Sequence, residues 1–331
     1  MSHIPRYFTV SICCAALSFG GSSKGKRTVE NTVTVMWRAP DDIASRNLYY
    51  GPGGKDEQPH GTVTFESEDM NGTNPKFVVR DADGVKWTVK LGNEARAETV
   101  ATRLVWAAGY FANEDYFVAD LRVEGMSSRL RRGRNLVTLE GARNVRLKRH
   151  DPDEKDIGAW SWRDNPFRST RELNGLRVLM ALINNWDLKD ENNAIYRDKK
   201  SGEQVYMISD LGASFGAAAH IVPQHRSKGD LEEYQRSKFI RKENSRTIDF
   251  ADPGRPSILY LPAFRSYVRR VRMEWIGRNI PRADAKWIGE ILGRLSAEQL
   301  RDVFRAGGYS PAEVEAFTKI LENRIAQLRD L

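Results

Sequence analysis

The chain has 331 residues, 40% of them hydrophobic, with eight Trp, a composition that supports a packed core and excludes a disordered tail. Its net charge of +8, from 52 Lys and Arg against 44 Asp and Glu, is concentrated in segments rather than spread. Both cysteines, Cys13 and Cys14, lie in the N-terminal segment, so a chain trimmed behind it has no disulfide, catalytic thiolate or Cys-based metal site.

Residues 7–17 are an apolar run too short to span a bilayer. Behind Arg6 and ahead of Ser18, Gly20, Gly21 and Ser22, the run reads as a signal peptide over 1–22 and implies an exported protein, secreted or periplasmic. Without that signal the chain is cytoplasmic. Residues 23–61, broken at Gly51-Pro52-Gly53-Gly54, read as an extended lead-in with a strand near 32–37. Alternating segments 76–80 and 85–91 flank Asp81-Ala82-Asp83-Gly84, which predicts a hairpin. Ala97, Val100, Ala101, Leu104, Val105 and Ala108 keep helical spacing over 94–108, and Gly109 supplies the stop. Strands follow over 116–123, 136–140 and 144–148.

The rest is mostly helical. Ser169 or Thr170 caps a helix running through Leu173, Leu176, Leu179 and Ile183, with Glu172 placed to complete a capping box. After a polar stretch to about residue 256, amphipathic helices are predicted over 259–276, 283–295, 297–306 and 311–328. The fold class is α+β: a sheet-rich N-lobe over 62–148, a helical C-lobe over 149–331, and a cleft between them.

The chemistry is concentrated in two short segments. One is Asn185-Trp186-Asp187-Leu188-Lys189-Asp190-Glu191-Asn192-Asn193; the other, eighteen positions past Asn192, centres on Asp210-Leu211-Gly212. Taken alone, Asp-Leu-Gly is an ordinary turn after a strand. As a set, the residues supply what phosphoryl transfer requires: one carboxylate to orient or deprotonate a hydroxyl, and an Asn with a second carboxylate to hold magnesium. The gap fits a strand, a turn at Lys199-Lys200-Ser201-Gly202 and a return strand over 204–208, bringing Asn192 and Asp210 to adjacent strand ends.

On these residues the chain resembles the protein-kinase-like superfamily over residues 76–216, nearest its atypical branch of HipA-type, phosphoinositide-kinase-like and secretory casein-kinase-like enzymes. The resemblance implies a bilobal kinase-like fold with ATP and Mg as cofactors. It makes Asp187 the catalytic Asp, with Lys189 neutralising the transferred group. Asn192 and Asp210 become the metal ligands, with Asn193 as the neighbouring alternative. Lys90, at a strand end, contacts the α- and β-phosphates and is clamped by Glu98, or by Glu94 one turn earlier. The chain departs from the pattern at Trp186, where the family has His or Arg, and at Leu211, where it has Phe. It also lacks a G-x-G-x-x-G loop, leaving the backbone of Gly72 and Thr73 as the phosphate cradle. The adenine is expected near residues 146–153, on backbone groups of Lys148 and His150.

Three functional classes compete. The first is a phosphotransferase acting on a protein, lipid-headgroup or small-molecule hydroxyl, selected by residues 217–256 with Lys228, Arg236, Lys238, Arg241 and Lys242. The second is a catalytically dead pseudokinase serving as a scaffold. The third makes the basic segments an anionic-lipid or nucleic-acid surface: nine basic residues against two acidic between Arg122 and Arg149, and six arginines against Glu274 between Arg265 and Arg282. Arg131-Arg132-Gly133-Arg134 lacks interleaved aromatics and reads as a solvated turn rather than a nucleic-acid site. His220 and His225 lack zinc-ligand spacing and read as loop residues.

Overall fold

The computed structural model describes residues 33–127, 130–218, 227–252, 268 and 271–331. The expected signal segment, both cysteines, His220, His225, Arg265, Arg269, Arg270 and most of the helix expected over 259–276 lie outside the described residues.

Alternation of apolar and polar side chains builds the first half. Strands β2 (Val63–Asp69), β3 (Lys76–Arg80), β4 (Lys86–Lys90), β5 (Asp115–Glu124), β6 (Val137–Thr138) and β7 (Gly141–Arg149) share one sheet in the order β4-β3-β2-β5-β7-β6. β4 also pairs with β7, so the five longer strands close into a ring. Every second residue points inward, and Phe77, Val79, Trp87, Val89, Leu121, Val123, Val145 and Leu147 fill the interior. The expected β3–β4 hairpin is present. Asp81 organises it by accepting from the N–H groups of Asp83 and Val85 at 3.1 and 2.8 Å and from the Trp87 indole at 2.9 Å.

Helix α1 (Glu94–Ala107) lies against this ring and is buried along almost its whole length. Its stop is Gly109, at φ +93°, where a Cβ would sit 2.2 Å from the Arg38 carbonyl oxygen. Gly109→Ala is therefore expected to cost about 1–3 kcal/mol, read as a lower urea midpoint at unchanged m-value.

A second sheet, β1 (Thr34–Val35), β10 (Gln204–Ile208), β9 (Asn193–Asp198) and β8 (Glu154–Gly158), carries the expected β9–β10 hairpin with Gly202 at its turn. A third small sheet joins β11 (Ile240–Glu243), β12 (Thr247–Phe250) and β13 (Ile280–Pro281). The helices are α2 (Arg171–Leu182), α3 (Leu231–Arg236), α4 (Arg282–Leu292), α5 (Ala297–Ala306) and α6 (Pro311–Arg329). Full capping boxes start α5 (Ser296, Gln299) and α6 (Ser310, Glu313). Thr170 caps α2, but the expected box through Glu172 is absent because Glu172 falls at the second helical position and the box needs the third. The stretch read as merely polar contains α3, β11 and β12, elements of four to six residues that tertiary contacts hold.

Residues 33–61 bridge both halves. Gln204 N–H donates to Val33 O at 2.8 Å, Arg38 N–H to Gly109 O at 2.9 Å, the Tyr116 hydroxyl to Gly54 O at 2.9 Å and the Gln299 amide to Ile43 O at 2.8 Å. One apolar core runs from Val100 and Leu104 of α1 to Phe215, Tyr234, Phe304 and Phe317. Buried Arg324 of α6 donates to Leu182 O at 2.9 Å and to Asn184 Oδ1 at 2.8 Å, fixing the end of α2 from which the Asp187 loop departs. Among the described residues no helix is long and apolar enough to cross a membrane.

Candidate active site

The ring's register places the first charged group. In the β4–β7 pairing Lys90 stands opposite Arg146, so both cations share the face turned away from Val89 and Leu147 and toward α1. Glu94 and Glu98, one turn apart on α1, meet them there. Lys90 Nζ lies 2.7 Å from Glu98 Oε2, 3.2 Å from Glu94 Oε2 and 3.2 Å from Asp210 Oδ1. The second oxygen of Glu98 accepts from Arg146 Nη2 at 2.6 Å. Behind this pair the charges continue inward: Arg146 Nε is 3.9 Å from Asp115, which also receives Arg103 at 3.1 Å and the Thr102 hydroxyl at 2.9 Å. Such burial is tolerable only because each charge has an opposite neighbour.

Electrostatics follow from this packing. Burial opposes the Lys90 charge, but Glu98, Asp210 and Glu94 outweigh it and hold the ammonium above its ordinary pKa. Burial likewise opposes the Asp210 carboxylate, yet Lys90, the Gly212 N–H and Arg146 bring it down to about 2. Burial pushes Asp115 up against the pull of Arg103 and Arg146.

The loop after α2 carries the second group. Lys189 Nζ sits 2.7 Å from Asp187, and the Asn192 amide donates to Asp187 O at 2.6 Å. The Asn192 carbonyl oxygen in turn accepts from the N–H groups of Ser209 and Asp210 at 2.9 and 3.1 Å, tying this loop to the end of β10. Trp186 is buried with Ala213 and Ala218, its N–H bonded to Ala213 O at 3.2 Å and its indole to Ser227 O at 3.1 Å, so apolar packing supports the loop. Beside it opens a groove of about 530 Å³ lined by Trp162, Arg163, Lys189, Glu191, Arg272 and Trp275, among others.

The structure thus brings Lys90, Glu98 and Asp210 into direct contact, and binds Asp187, Lys189 and Asn192 to one another. Glu94, the alternative partner, contacts Lys90 as well. It also pairs with Lys228 and accepts from the Asn74 amide. Gly72, at φ +65°, and Thr73 lie in the β2–β3 turn, which Asn74 links to the cluster. Asn193 faces elsewhere, its amide donating to Trp160 O at 2.9 Å.

Two readings change. Lys148 lies within β7 between two neighbouring strands, opposite Thr88 on one side and Asp115 on the other, and His150 N–H is bonded to Lys86 O at 3.0 Å. Those backbone groups are already engaged with the sheet and do not form an adenine edge. The Arg131–Arg134 turn is not simply solvated, because the Arg132 guanidinium is engaged by three carbonyl oxygens of the β2–β3 turn. Arg146, Asp115 and Asn74 are site residues that sequence reasoning missed. Period-two alternation sets Arg146 apart from Val145 and Leu147, but only the β4–β7 register puts it opposite Lys90.

This closed sheet with α1 packed on it and the helical half behind make an α+β fold, and the Lys90–Glu98–Asp210 contact marks its candidate site. No protein-family model and no curated protein sequence matches the chain. Among solved structures it is similar to the Helicobacter pylori proinflammatory kinase CtkA, with 12% identity over 82% of this chain and 98% of that one, and a TM-score of 0.43. It is also similar to a Golgi casein kinase, with 11% identity over 82% of this chain and 73% of that one at a TM-score of 0.38. A Golgi casein kinase with Mn/ADP bound has 11% identity over 87% and 80% of the two chains, at a TM-score of 0.33.

Proposed function

We propose that the chain is an ATP- and Mg-dependent phosphotransferase moving a phosphoryl group to a hydroxyl acceptor. The observation that carries this reading is the contact of one buried ammonium, Lys90, with Glu98 of α1 and with Asp210 after β10. Two consecutive elements and a third 120 residues beyond Lys90 converge there on a charge constellation that a purely structural sheet end does not need.

In this reading Lys90 holds the α- and β-phosphates, kept charged by Glu98, which Arg146 fixes from behind. Asp187 accepts the proton of the attacking hydroxyl, and Lys189 offsets charge on the group in flight. The Gly72 and Thr73 backbone covers the phosphates. Oxygens of Glu94, Glu98 and Asp210 lie within 4.8 Å of one another, a hard-oxygen donor set that fits magnesium. Asp210 would hold the ion, with Asn192 adding its amide oxygen. Bound there, the ion would supply positive charge to offset that of the nucleotide phosphates. The acceptor enters from the groove beside Lys189, and its class, protein, lipid headgroup or small molecule, is set there and in the residues after Asp210. An N-terminal signal over 1–22 would place this activity outside the cytoplasm.

The test is a thermal-shift titration with ATP, with magnesium, and with both. The pair together is expected to stabilise the protein by about 2.7 kcal/mol at a hundredfold excess over Kd, with little effect from either alone. A folded protein whose melting ignores ATP and magnesium together would sink the reading.

A further inference from the structure

We propose that Arg132 is the residue that shapes the phosphate-covering turn, a positioning residue for nucleotide binding; this rests on the phosphotransferase reading. The turn between β2 and β3 has one glycine and no second to impose its shape. Its conformation is set instead from outside. Arg132 Nη2 donates to Asp69 O at 2.6 Å and Asn71 O at 3.5 Å, and Nη1 donates to Gly72 O at 2.6 Å. One planar cation therefore gathers three carbonyl oxygens that would otherwise repel one another and turn toward an incoming phosphate.

The backbone donors show the complementary side of this arrangement. Asn71 N–H is held by Asp69 Oδ1 at 2.8 Å, whereas the N–H groups of Gly72, Thr73 and Asn74 have no hydrogen-bond partner among the described residues. A turn with its carbonyls tied back and successive N–H groups free is a nest for an anion. Its far end is fixed to the cluster, because the Asn74 amide donates to Glu94, which also contacts Lys90.

Arg132 can act this way because its own segment is rigidly seated. Glu68 of β2 accepts from the backbone N–H groups of Arg131 and Arg132, each at 2.8 Å. The grip is reciprocal: β2 holds the arm through Glu68, and the arm holds the turn through Arg132. Leu130 is 2% exposed and packs into the ring. Gly133 (φ +66°) approaches so closely that a Cβ would lie 2.6 Å from Pro75 Cβ and 3.1 Å from Leu91. The basic turn is thus a clasp on the nucleotide loop.

The experiment compares the parent with Arg132→Ala, Arg132→Lys and, as a control for lost charge on the same sheet, Arg143→Ala, whose side chain is exposed and paired with Asp120. Two quantities are read: the Kd for Mg-ATP, and the slowing of hydrogen exchange at Gly72 and Thr73 when Mg-ATP is bound. Arg132→Ala is expected to weaken Mg-ATP about tenfold and to lessen the protection that saturating Mg-ATP gives the turn, with kcat at saturating ATP retained. Lysine, which cannot span three carbonyls, should rescue only in part, and Arg143→Ala should match the parent. Parent-like Kd in Arg132→Ala overturns the inference, as does undiminished protection of the turn by Mg-ATP. A parent that binds no Mg-ATP overturns both this inference and the phosphotransferase reading, so the two failures are distinguishable.

Discussion

Replacing Lys90 by Met is expected both to abolish nucleotide binding and to destabilise the fold, with a reversed pH dependence as its signature. The ammonium is 4% exposed and contacts three carboxylates. Removing one partner of a buried ionic group typically costs about 3–5 kcal/mol, because the remaining charges are left uncompensated. Arg146 stays on Glu98 and Lys228 on Glu94, so Asp210 loses most. In the parent, the Asp210 pKa of about 2 lies below its ordinary value of 3.8, so its contribution is present above about pH 4 and fades as pH falls toward 2. In Lys90→Met the crowded carboxylates favour proton uptake, raising a pKa above its unfolded value. Relative to the parent, in which the Asp210 contribution stays level, stability should therefore increase as pH falls from 8 to 5. Melting curves at fixed ionic strength across that range measure the difference. A variant as stable as the parent, with the same pH profile, would remove Lys90 from the centre of the site.

Asp187→Asn makes the opposite demand: large loss of transfer with little loss of fold. Asp187 is only partly buried, and its side chain pairs with the partly exposed Lys189. A pair of this kind contributes about 0–1 kcal/mol to stability. An amide cannot accept the acceptor's proton, and general-base catalysis is worth about 10²–10⁴-fold. The expected result is a fall in transfer of that order, with Mg-ATP affinity and melting temperature unchanged. Equal turnover in parent and variant, once an acceptor is in hand, would release Asp187 from its role. No transfer by a parent that binds Mg-ATP would favour the scaffold alternative instead.

Legible in the sequence are the local elements that carry the candidate residues. Lys90 at the end of an alternating strand, Glu98 on the next apolar-periodic helix, and Asp210 after the β9–β10 hairpin each sit where a short-range pattern puts them. The hairpin at Asp81–Gly84 and the helices over 297–306 and 311–329 were legible for the same reason: turn residues, caps and period are local properties. What escaped depends on register or distant contact. Glu172 completes a capping box only for a helix capped by Ser169; the helix is capped by Thr170, which leaves Glu172 at the second position. The short α3, β11 and β12 have too few residues to carry a periodic signal.

The order of elements, the alternation that fills the ring and the charged residues available for chemistry are written in the sequence, because each follows from side-chain period and local backbone preference. Their partnership is not. That Arg146 stands beside Lys90, that Glu98 lies between two cations, and that Arg132 reaches back 60 residues to Gly72 follow from closure of β4 on β7 and from the seating of the β5–β7 arm. Ionic contacts between groups far apart along the chain have no sequence period. Only packing, which must give every buried charge an opposite neighbour, decides which of them meet.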